Sequence, residues 1–110
     1  MDNLKWREAA VDSVLKGSVV DATDALLDLT YNESDRTWLQ GLLLQCLDVG
    51  RHPQVRALAV TCVGHVARID HEIESYLIEK LFELKADPNL TGIVEDALSD
   101  IASFVPGCEL

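Results

Sequence analysis

Apolar residues recur along most of the chain at intervals of three and four, the period of a helix with one buried face. Leu4, Val11, Val14 and Leu15 mark a first helix that ends near Gly17, and Val19, Val20, Thr23, Leu26 and Leu27 mark a second, with Asp21, Asp24 and Asp28 on its opposite face. Asn32-Glu33-Ser34-Asp35 is a polar break. Ser34 or Asp35 is a natural N-cap for the next helix, because a short side-chain oxygen there accepts an amide proton that the first turn leaves free. From Trp38 to Leu47 the chain is apolar on most of its circumference. That predicts a third helix covered on several sides and placed in the middle of the assembly. Gly50 is its expected stop, and Arg51-His52-Pro53 makes a turn, with Pro53 placed to open a new helix.

The fourth helix carries a stripe of Val55, Leu58, Ala59, Cys62, Val63, Val66 and Ile69. A fifth, from about Glu72 to Lys85, buries Ile73, Leu77, Leu81 and Leu84, with acidic residues in its first turn and lysines late, as the helix dipole favours. After Asp87-Pro88 a sixth carries Leu90, Ile93, Val94, Ala97, Leu98, Ile101 and Ala102, and Pro106-Gly107 ends it. Shifting the fourth helix by about 35 residues places it on the sixth, the repeat length of stacked helix pairs. His52-Pro53-Gln54-Val55 then meets Asp87-Pro88-Asn89-Leu90, and Leu58, Ala59, Cys62, Val63 and Val66 meet Ile93, Val94, Ala97, Leu98 and Ile101. A matched turn and register of this kind is the sequence form of an α-solenoid. The predicted fold is therefore all-α: one domain over residues 1–110, a short α-solenoid of about three antiparallel helix pairs at 4–31, 36–69 and 72–105.

The stretch from Trp38 to Asp70 resembles a HEAT repeat, or the similar short repeats of phycobilisome-lyase type. The run His52-Pro53-Gln54-Val55-Arg56 looks like that family's D-P-x-V-R turn, and small residues Ala57 and Ala59 follow it. Residues 72–104 match more loosely, with Thr91 where the family favours Arg; residues 4–31 match only as a helix pair. The resemblance implies a HEAT-like stack in which the second helix of each pair lines an inner surface. It says little about function, because such repeats are scaffolds with many uses.

Charge narrows the functional classes. The chain of 110 residues has a formal net charge of −10, and the excess sits in two segments. Residues 17–35 hold Asp21, Asp24, Asp28, Glu33 and Asp35, and residues 86–110 hold Asp87, Glu95, Asp96, Asp100 and Glu109, neither with any Lys or Arg. Elsewhere the charges cancel. A chain this acidic repels phosphates, so no nucleic-acid partner is expected. No run reaches the roughly 20 apolar residues of a membrane span. The mixed charges of the first eight residues do not form a signal peptide. Three cysteines without paired spacing read as reduced thiols of a cytoplasmic protein.

No catalytic constellation stands out. His52, His65 and His71 fall on different elements, without metal-ligand spacing, and no phosphate loop or nucleophile motif is present. Neither an enzyme activity, nor a cofactor, nor a metal is expected. What remains is a binding surface. By the HEAT-like resemblance, Asp21, Asp24 and Asp28 of the second helix and Glu95, Asp96 and Asp100 of the sixth flank Arg56, Thr61, His65 and Arg68 of the fourth. These carboxylates lack a Lys or Arg four residues on, the inexpensive stabiliser of a solvated helix face. In general character the chain resembles bacterial immunity proteins that guard against contact-dependent or other polymorphic toxins. That resemblance implies a monomer in a 1:1 complex with a basic toxin domain, a nuclease with a cationic cleft. A HEAT-like adaptor that holds a protein or peptide is the alternative, and a lyase-like chaperone for a chromophore a third reading.

Overall fold

A computed structural model describes residues 3–48 and 51–108, with side chains from Lys5 onward. The expected stop at Gly50, the carboxylate of Glu109 and the side chain of Leu4 lie outside the described residues. Six helices follow one another: α1 (Asn3–Lys16), α2 (Val19–Asn32), α3 (Arg36–Cys46), α4 (Pro53–Asp70), α5 (Ser75–Leu84) and α6 (Thr91–Phe104). No strand occurs among the described residues. None of these helices is long and apolar enough to cross a membrane.

The breaks are chemical. Ser18 Oγ accepts the amide proton of Asp21 at 3.1 Å and opens α2. Asp35, rather than Ser34, caps α3, its Oδ1 accepting from Trp38 N at 3.0 Å. Nδ1 of His52 accepts from Gln54 N at 3.1 Å, and Pro53 supplies the first helical position of α4. The matching Asp87-Pro88 turn behaves differently. The Asp87 carbonyl accepts from the amides of Leu90 and Thr91 and from Thr91 Oγ1, and its side chain accepts from Asn89 N. Those bonds close a turn over residues 87–90, so α6 starts three residues later than the shift from α4 implies.

The fifth helix also starts later than its pattern suggests. His71 ends α4 in the left-handed region at φ 56°, its amide bonded to Ala67 O. Glu72 and Glu74 then precede α5 instead of occupying its first turn. The amide of Glu74 donates to Oε1 of the buried Gln40 on α3 at 2.8 Å, which pins this connection to α3.

The helices form two layers: α2, α4 and α6 side by side, with α1, α3 and α5 covering them. The 18 Å short dimension of the molecule is about that of two helices packed at 8–10 Å between axes. The centre is α4, packed on α2, α3 and α6, and not α3 as its apolar run suggests. On α3, Gln45 is exposed and Gly41 and Leu44 are half-buried. On α4, small buried residues (Ala59, Cys62, Gly64, Ala67) allow neighbours on several sides. A Cβ at Gly64 would lie 2.8 Å from Asp100 Oδ2 and in ordinary contact with Ala97 Cα at 3.6 Å, so the glycine lets the Asp100 carboxylate lie close against α4. Two members of the expected α4 stripe are less covered than their spacing implies. Leu58 is half-buried and Ile69 exposed, because both lie on the rim of α4 that faces outward beside α2.

Arginines tie the layers together. Arg7 on α1 pairs with the buried Glu33 at 2.6 Å and lies 4.3 Å over the Trp38 ring. Arg36 on α3 pairs with Asp70 at the end of α4 at 2.8 Å.

Candidate partner-binding face

The outer side of the α2–α4–α6 layer gathers most of the residues that the sequence singles out. On α2, Asp21, Asp24 and Asp28 are exposed, and Tyr31 follows on the same face with 56 % of its surface open to solvent. Its ring sits 5.6 Å from that of His65 on α4, tilted by 39°. One turn on, Nη2 of Arg68 donates to Nδ1 of His65 at 2.6 Å. Nε of the same arginine lies 3.7 Å from Asp100 Oδ2 on α6. Tyr31, His65, Arg68 and Asp100 thus form one chain of contacts across three helices. Beside it, Thr61, Arg68, Ile93, Asp96, Ala97 and Asp100 surround a hollow of about 200 Å³.

Two expected members lie elsewhere. Arg56 is only 12 % exposed; its Nε donates to Leu47 O at 3.4 Å and its guanidinium lies 3.8 Å from Asp87. It joins the turns before α4 and α6 and is not on the shared face. Glu95 borders a different hollow, with Phe82 and Lys85, between α5 and α6. The structure therefore brings Asp96 and Asp100 together with α4 and separates Glu95 from them.

The α6 row is also less bare than its sequence suggests, since Arg68 reaches Asp100 across the helix contact. No i+4 rule finds a pair 32 positions apart. Asp28 accepts a hydrogen bond from Asn32 Nδ2 at 2.6 Å. Among the described residues Asp21, Asp24, Asp28 and Asp96 make no ion pair. Tyr31 and Ile93 were not anticipated on this face. An aromatic three residues after Asp28 was the one available signal for Tyr31.

A guanidinium only donates, so Nδ1 of His65 accepts and the proton of the neutral ring sits on Nε2. Partial burial, followed by the charge of Arg68, lowers the His65 pKa, and Asp100 opposes them. The sign of the pH dependence follows. The unfolded chain takes up this proton first, near pH ~6.5. This contribution to stability is therefore complete above that value and is lost as pH falls toward the folded pKa. In an NMR titration the His65 ring should show a midpoint below ~6.5, lowered further by Asp100→Asn and raised by Arg68→Met. A midpoint above ~6.5 would show that the ring is not held as described.

Chemistry of other kinds finds little footing. Burial pushes the Cys46 and Cys62 thiols up to about 11, so both stay protonated at neutral pH. Among the described residues no group of three His, Cys, Asp or Glu side chains could hold a metal ion. A larger cleft, about 700 Å³, opens near the α4–α5 connection; there Nε of Arg36 pairs with Asp70 at 2.8 Å, while its Nη2 is buried without a hydrogen-bond partner.

No protein-family model matches the chain, and no curated protein does. Among solved structures it is similar to a chain in the crystal structure of a CDI complex from Cupriavidus taiwanensis LMG 19424. The two are 31% identical, over 94% of this chain and 89% of that one, with a TM-score of 0.75. The chain belongs to the same family as that component of the CDI complex.

Proposed function

We propose that this protein is the immunity partner in a contact-dependent growth inhibition pair, acting in the cytoplasm by binding and blocking a toxin domain. The observation that carries the reading is the full-length likeness to a chain of a CDI complex. A complex of that kind needs a toxin and a neutraliser, and a net charge of −10 without a catalytic constellation suits the neutraliser. The finer reading is that the toxin is cationic, a nuclease, and is held one to one by the outer face of α2, α4 and α6. Asp24, Asp28, Asp96 and Asp100 supply the negative field, and Tyr31 with the His65–Arg68 pair supplies shape between them. Such a field steers a basic partner to the face, an effect screened beyond about 8 Å at physiological salt. An exposed tyrosine at the seam of two helices is the kind of residue that anchors an interface.

Co-expression tests the reading. The toxin domain encoded beside this chain should arrest growth alone, and the chain should restore growth and co-purify with the toxin in a complex that weakens as salt rises. Growth arrest despite abundant folded chain would contradict it.

A further inference from the structure

We propose that the hollow between α4 and α6 is a socket for one arginine side chain of the toxin; the proposal rests on the reading of function given above. The hollow has a mixed lining suited to that side chain. Ile93 and Ala97 offer apolar surface for the methylene stem, while Asp96 and Asp100 line the same hollow as acceptors for the planar head. A volume of about 200 Å³ leaves room for a single long side chain and not for a helix or a loop.

A second feature of the site points to the same ligand. A guanidinium already sits there: that of Arg68, 3.7 Å from Asp100 Oδ2 and too far for a hydrogen bond. The closer partner of Arg68 is His65, at 2.6 Å. Arg68 is therefore held by His65 and forms one wall of the hollow, which leaves the Asp100 carboxylate without a hydrogen bond from it and open to an incoming guanidinium. Gly64 makes the arrangement possible, because a side chain there would drive the Asp100 carboxylate away from α4. Asp96 makes no ion pair among the described residues and is the acceptor still open.

The test has two arms. In the first, N-acetyl-arginine amide is titrated into the labelled protein and followed by NMR. Saturable shifts are expected at the amides of Thr61, Asp96 and Asp100, absent in the Asp96→Asn/Asp100→Asn variant and smaller with the lysine analogue. Shifts that do not saturate, or that persist in the variant, overturn the proposal.

In the second arm, calorimetry measures affinity for the inactivated toxin domain encoded beside this chain, with folding of each variant checked by circular dichroism. Asp96→Asn/Asp100→Asn should weaken binding about thirtyfold or more, as loss of the partners of a desolvated charge does. Arg68→Gln, which removes a like charge from the wall of the socket, should tighten it roughly two- to fivefold. Lys80→Gln, the same change of net charge on α5, should leave it unaltered. If the wild-type chain binds the toxin and the double asparagine variant binds equally well, the socket is wrong and the immunity reading stands. If the wild-type chain binds the arginine probe and not the toxin, the immunity reading fails, and the assignment of the socket to a toxin fails with it.

Discussion

Replacing Asp28 and Asp96 by lysine should leave the melting temperature of the protein nearly unchanged while weakening its complex with the toxin by about 4 kcal/mol or more. Both carboxylates are exposed, so reversal costs the free protein little beyond local repulsion. Each sits on a different helix of the same layer, at the two flanks of the His65–Arg68 pair. A cation docked against either would lose its counter-charge and meet a like one. The control is reversal of Glu79 and Glu83 on α5, in the other layer. Both are exposed, and among the described residues the Glu83 carboxylate pairs with Lys80 alone, at 3.4 Å. The same change of net charge placed there should alter affinity by about 0.5 kcal/mol or less, the range of an exposed pair. Comparable losses from both pairs would mean that overall charge matters and position does not.

The second large effect belongs to the core. Leu43 is fully buried on α3 beneath the central helix, and Leu43→Ala should cost about 3–5 kcal/mol, more than about 10 °C in melting temperature. Leu58, which shares the apolar stripe of α4 but lies half-open on its rim, should cost about 1–2 kcal/mol on the same change. Equal losses at the two sites would place Leu58 in the core after all. The contrast separates what periodicity shows from what packing decides.

That contrast runs through the whole molecule. Helix number and order were legible, because Gly17, the polar break with Asp35 and the turn at Pro53 punctuate the chain chemically. The starts of α5 and α6 were not, because they depend on bonds between distant or competing groups. Gln40 takes the amide of Glu74, and the Asp87 carbonyl takes the amides of two residues after Pro88. The place of α4 at the centre was hidden for a related reason. Small residues such as Gly64 and Ala67 read as weak hydrophobes in sequence, although both are buried where α4 packs among its neighbours.

The face was legible in part. Spacing put Asp24 and Asp28 together, and the HEAT-like resemblance implied that the rows of α2 and α6 flank His65 and Arg68. Spacing could not show that Arg56 is occupied with Asp87, since the two meet only when the turns before α4 and α6 stack. Nor could it separate Glu95 from its neighbour Asp96. Adjacent helix positions differ by about 100° around the axis, and only the location of α5 decides which of them looks away from α4.

Side-chain footprinting of the complex tests most directly whether the α2–α4–α6 face holds the toxin. Tyr31 and Phe82 are both exposed in the free protein, one on this face and the other on α5, so hydroxyl radicals should oxidise both. On addition of the toxin domain, oxidation of Tyr31 should fall sharply while that of Phe82 stays as it was. Protection of Phe82 with Tyr31 left open would place the toxin on the opposite side of the molecule and contradict the assignment of the face.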